Sequence, residues 1–112
     1  MPLSPKQRQT LQQHYLYLTS EKFPELARTG ALKSPVTENH CFQRIMLDNV
    51  CGGQWNTFIA APAYQHMSDQ QLVQMTSMCN DVLCGKADLF TLNRQSLVWR
   101  SKIKSRQLTL FT

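Results

Sequence analysis

A chain of 112 residues, 42% of them hydrophobic, has the size and apolar content of one small domain with a single core. No apolar run reaches the length of a membrane span, and Met1-Pro2-Leu3-Ser4-Pro5 lacks the charged and apolar blocks of a signal peptide, so the cytoplasm is the expected compartment. The net charge of +5 is unevenly placed: residues 1–98 carry eight Lys or Arg against seven Asp or Glu, and Arg100, Lys102, Lys104 and Arg106 supply the rest, which argues against a broad nucleic-acid surface on the body.

Helix signals recur along the chain. Ser4-Pro5-Lys6-Gln7 predicts a capping box with proline in the first turn, and Leu11, Tyr15 and Leu18 repeat at helical spacing behind it. His14 lies beside that stripe and is expected to be structural. Phe23-Pro24 predicts an interruption, followed by a short helix around Glu25 to Arg28 that Gly30 ends and a connector from Ala31 to Val36. Thr37 is the expected cap of a second long helix running to Val50 or Cys51, with Cys41, Phe42, Ile45, Met46 and Asn49 on one side and Gly52-Gly53 as its stop.

On another side of that helix His40, Arg44 and Asp48 stand four apart and form one polar row. Such a row suits a site in which Arg44 grips an anion and His40 moves a proton. The plainer alternative is a solvated helix face with an ion pair between Arg44 and Asp48. Trp55, Phe58, Ile59 and Tyr64, broken by Pro62, predict a short helix or ordered loop laid over the core, and His66 precedes the next helix without an evident partner. Ser68-Asp69-Gln70-Gln71 repeats the capping box, and Leu72, Met75, Cys79, Val82 and Leu83 predict a buried stripe that Gly85 terminates. Met67, Met75 and Met78 are expected in the core. Asp88 then caps a last helix through about Lys102, with Leu89, Leu92, Trp99 and Ile103 in phase.

These elements predict an all-α protein: a small single-domain bundle of about four to five helices over residues 1–101, with an extended basic tail over residues 102–112. Cys41, Cys51, Cys79 and Cys84 are spaced unlike the close Cys-Cys pairs of zinc sites, so they are expected to be free thiols, Cys41 and Cys79 on buried faces, with no metal and no cofactor.

The tail carries its own signal. Leu108, Leu110 and Phe111 are apolar side chains on a basic segment, which suits burial in a partner's pocket better than a place in the core. Gln107-Leu108-Thr109-Leu110-Phe111 resembles the pentapeptide by which bacterial polymerases, mismatch-repair proteins and replication regulators dock onto the DNA polymerase sliding clamp, with all four defining positions matched. The resemblance covers five residues and implies a partner-binding set of Gln107, Leu108, Leu110 and Phe111. Its location at the end of the chain fits an accessible peptide. The alternative is a tail folded back on the body as an edge strand. Arg100, Lys102, Lys104 and Arg106 beside it are candidate contacts to DNA phosphates or to an acidic partner surface, or simply a solvated, solubilising segment.

Three function classes follow. The first is a noncatalytic adaptor or regulator recruited to the sliding clamp in DNA replication or repair. The second is an enzyme: from His40-Cys41-Phe42 to Ser96-Leu97-Val98-Trp99-Arg100 the body is similar to small bacterial proteins with an acetyltransferase-related label. The residues do not supply that chemistry, because no strand leads into a glycine-rich turn that could cradle a pyrophosphate, and there is no P-loop or nucleophile elbow. The third is a weak DNA binder that uses the basic tail alone.

Overall fold

In the computed structural model, which describes residues 2–100, the polypeptide is a bundle of helices with no strand among those residues. Its elements are α1 (Pro5–Tyr17), a π-helical turn (Leu18–Lys22), α2 (Phe23–Thr29), α3 (Asn39–Cys51), a 3-10 turn (Trp55–Thr57), α4 (Ala63–His66), α5 (Asp69–Leu83) and α6 (Leu89–Trp99). Helix α3 is the central member, packed against the π turn, α2, α5, α6 and the 3-10 turn. The all-α expectation is therefore met.

Both capping boxes form. The Ser4 hydroxyl accepts the Gln7 amide N–H while Gln7 Oε1 accepts that of Ser4, and Ser68 and Gln71 do the same at the start of α5. Each arrangement satisfies two N–H groups that a helix start leaves without partners. Asp88 caps α6 through the N–H groups of Phe90 and Thr91. The cap of α3 differs from expectation. Glu38, not Thr37, occupies it, and no side chain bonds there; the N–H groups of Cys41 and Phe42 instead reach the Glu38 carbonyl.

Phe23-Pro24 does not interrupt the chain. Proline has no N–H to offer the carbonyl four residues back and its ring crowds that carbonyl, so an unbroken α-helix cannot pass through it. The π turn solves this by widening the helix one turn earlier: the Phe23 N–H donates to the Leu18 carbonyl five residues back. Pro24 then falls in the first turn of α2, where a missing N–H costs nothing. Phe23, fully buried, meets the Phe42 ring at 5.6 Å between centroids and 52° between planes. Aromatic pairs favour such tilted contacts.

The core gathers Tyr15, Leu18, Phe23, Phe42, Ile45, Met46, Leu72, Met75, Cys79 and Leu89 around α3. Two expectations about α5 and α3 need correction. Leu83, assigned to the buried stripe, is exposed on the outer face of α5 although its neighbour Val82 is buried, and Cys41, in the first turn of α3, is only half-buried. Gly52 ends α3 at φ 74°, a left-handed conformation that glycine adopts without the clash of a Cβ. The N–H groups of Gly52 and Gly53 both return to the Asp48 carbonyl, at 2.9 and 3.1 Å. No helix among the described residues is long and apolar enough to cross a membrane.

Candidate functional site

The polar row predicted on α3 is neither a solvated face nor an isolated site. His40 is exposed, Arg44 half-buried and Asp48 fully buried. The row descends from solvent into the contact between α3 and α6. Asp48 is the hub of a network there. Its Oδ2 accepts the Ser96 hydroxyl at 2.6 Å and the Arg100 Nε at 2.6 Å, and its Oδ1 accepts Arg100 Nη2 and the Trp55 amide N–H, each at 2.9 Å. A carboxylate offers about four acceptor directions, and all are taken, which is the condition under which a buried charge is tolerable.

Arg44 does not pair with Asp48 directly, contrary to the expected ion pair. Its Nη1 donates to Ser96 Oγ and its Nη2 to Asn93 Oδ1, both at 2.7 Å, so Ser96 relays between the two α3 residues. Asn49 adds a further tie, its Nδ2 donating to the carbonyls of Ile45 and Leu92. Among the described residues, no buried side-chain nitrogen or oxygen is left without a partner.

Arg100 is thereby reassigned. Counted from sequence among the candidate phosphate contacts, it closes on Asp48 instead, with its side chain about one-fifth exposed. The physical reason is phase: α6 places Ser96 and Arg100 four apart, one turn along the same face, directly over Asp48. Ser96, Asn93 and Trp55 were not singled out as members of a polar site. The signal that could have found the first two is a second polar row, Asn93, Ser96 and Arg100, complementary to the one on α3.

Beside this network lies a cavity of about 440 Å³ between α1, α3, the 3-10 turn and α4, bordered by Tyr15, His40, Arg44, Leu47, Trp55 and Tyr64 among others. Its wall is mainly apolar and aromatic, and Arg44 is its charged member. The 3-10 turn is fixed in position by the Trp55 N–H bond to Asp48, so the same carboxylate that holds α6 also holds one wall of the cavity.

All four cysteines are free, and no group of three or more His, Cys, Asp or Glu positioned to hold a metal occurs among the described residues. Burial pushes the Cys79 thiol up to about 12, and burial followed by the nearby Cys79 charge pushes the Tyr15 hydroxyl up to about 12. Burial, reinforced by Asp48, also raises the Cys51 thiol. These are groups kept neutral in a core. His66 Nδ1 lies 3.1 Å from the Pro62 carbonyl across the single turn of α4. The tail candidates Lys102, Lys104, Arg106, Gln107, Leu108, Leu110 and Phe111 lie outside the described residues, as does Ile103. Searches against protein-family models, curated proteins and solved structures returned no match to the chain.

Proposed function

We propose that the protein is a noncatalytic helical adaptor or regulator that docks onto the bacterial DNA polymerase sliding clamp through residues 107–111 and acts in DNA replication or repair. The observation that carries this reading is the match of Gln107, Leu108, Leu110 and Phe111 to the clamp-binding pentapeptide. Leu110 and Phe111 would fill an apolar pocket, with Leu108 adding contact and Gln107 giving directional hydrogen bonds through its amide. Burying each large apolar side chain is worth roughly 1.5 to 3 kcal/mol, and the cost of ordering an extended peptide offsets much of that. Micromolar affinity, about 8 kcal/mol, therefore needs the Gln107 and backbone hydrogen bonds in addition to the apolar burial.

The body supports this role by what it does at its own end of α6. Arg100 is bonded to Asp48 in the core, which fixes the last described residue on the bundle. The seven residue steps from Arg100 to Gln107 span at most about 25 Å. A clamp-bound peptide would thus hold the bundle close to the clamp surface.

Titration of purified bacterial sliding clamp with the intact chain and with a Leu110→Ala/Phe111→Ala variant tests the reading. Saturable binding by the intact chain and its loss in the variant, with unchanged melting temperature, is the expected result. No binding by the intact chain, or equal binding by both, overturns it. A large drop in melting temperature in the variant would point instead to a tail packed on the body.

A further inference from the structure

Arg44 is held rigidly without being neutralised. Its two hydrogen-bond acceptors, Ser96 Oγ and Asn93 Oδ1, are uncharged. The adjacent carboxylate, Asp48, is matched by Arg100 and has its remaining acceptor directions filled by Ser96 and Trp55. The network therefore holds two guanidinium groups and one carboxylate, and that carboxylate is paired with Arg100 alone, leaving a local surplus of one positive charge. Among the described residues the ion pairs are Arg8–Asp69 and Arg100–Asp48, and neither includes Arg44. A guanidinium carries five N–H donors, so donors remain on Arg44 beyond the two that are used.

The half-buried Arg44 side chain, its Nη1 and Nη2 held by α6, lines the cavity of about 440 Å³ together with Tyr15, Leu47, Trp55 and Tyr64. The volume falls within the range of small-molecule sites, roughly 300 to 1,000 Å³, and the composition follows their pattern of apolar walls with few fixed polar groups. Such a cation on an apolar hollow is complemented by an anion with an apolar body. Charge selects further. One surplus positive charge matches a monoanion, and a planar carboxylate meets a guanidinium through two parallel hydrogen bonds. A multiply charged phosphate would be left partly uncompensated against an apolar wall. Three aromatic rings on the lining favour a flat ring as the body of the ligand.

We infer that the cavity between α1, α3 and α4 is a binding site for a small aromatic carboxylate, with Arg44 receiving the carboxylate and Trp55 and Tyr64 flanking the ring. The site belongs to the body and is independent of the tail peptide.

The test uses the full chain and two probes of nearly equal shape, 1-naphthylacetate and its uncharged amide 1-naphthylacetamide, titrated by calorimetry and tryptophan fluorescence. The acid is expected to bind one per chain and at least about tenfold more tightly than the amide, the difference made by one charge-assisted pair. Arg44→Gln should abolish that preference while leaving the weak amide binding in place, and Tyr64→Ala should weaken both probes. Circular dichroism and melting curves establish that each variant is folded, and the comparison of acid with amide on the unaltered chain needs no variant. Deleting residues 107–112 should leave both affinities unchanged. Equal binding of acid and amide, absence of binding by either, a preference that persists in folded Arg44→Gln, or loss of binding on deleting residues 107–112 would each overturn the assignment.

Discussion

Arg100 reaches across 52 positions of sequence to close on Asp48, its Nε at 2.6 Å from one carboxylate oxygen and its Nη2 at 2.9 Å from the other. Asp48 is fully buried, so this pair sets the energetic character of the contact between α3 and α6. Removing one partner of a buried pair leaves the other charge uncompensated, at about 3 to 5 kcal/mol. Arg100→Ala and Asp48→Asn should each lower stability by that order in urea unfolding. Their effects should be clearly non-additive, because both break the same network. Arg8→Ala, at the partly exposed pair with Asp69, should cost less.

The same pair limits any binding to DNA. With Arg100 engaged by Asp48, Lys102, Lys104 and Arg106 are the cations of residues 100–112 left for phosphate. Three contacts give a log-log salt slope no steeper than about 2.7 in magnitude on duplex DNA, against about 3.6 for four. Filter binding or fluorescence anisotropy across a salt series measures it, and Arg100→Gln should leave the slope unchanged.

Acid should loosen the bundle at two identifiable places. The Leu3 amide N–H and then the Arg8 guanidinium hold the Asp69 carboxyl below its ordinary value, and the Thr91 hydroxyl, followed by backbone N–H groups, does the same for Asp88. A value lowered in the folded state means the proton is bound more readily on unfolding. The stabilisation is therefore present above the ordinary carboxylate value of 3.8 and is lost as pH falls through the lowered native values. The melting temperature should be flat between roughly pH 7 and 5, fall below about 4, and fall less steeply in Asp69→Asn.

Thiol chemistry should sort the cysteines by environment. Cys84 is exposed, whereas Cys79 is buried and its thiol is raised to about 12. Alkylation requires thiolate, so iodoacetamide near pH 8 should label Cys84 early and leave Cys79 untouched until the protein is unfolded, as read by peptide mass. Because Cys79 is raised from 9.0 and Tyr15 from 10.0, each to about 12, the folded state holds their protons more tightly than the unfolded chain does. That stabilisation is complete below pH 9 and is lost progressively as pH rises toward 12, so thermal stability should decline along that alkaline limb.

Local signals were legible in the sequence because they act over three or four residues. The capping boxes at Ser4 and Ser68, the Asp88 cap and the glycine stops at 30, 52 and 85 all form where their spacing predicts. What was not legible depends on packing between distant segments. Whether Asp48 faces water or Arg100 is decided by where α6 lies across α3, and nothing near residue 48 specifies that. Arg44 and Ser96 are likewise joined across 52 positions, and that junction turns a polar row on one helix into the edge of a cavity. Pro24 misled for a different reason: proline signals that an α-helix cannot continue, and a π turn is a rarer answer to that constraint than a break.

That π turn makes the count of residues between Tyr17 and Phe23 matter more than their identity. A π turn takes up one residue more than the α turn it replaces, so removing one from Leu18–Lys22 would restore an ordinary helix with the segments on either side still in phase. Phe23, fully buried against Phe42, would keep its face, but Pro24 would return to a position inside an α-helix facing a carbonyl it cannot bond. Glu21 is exposed, so Glu21→Ala should be almost silent, while deletion of Glu21 should cost about 3 kcal/mol by placing Pro24 inside an α-helix. The segment behaves as a spacer whose length is under tighter constraint than its spelling.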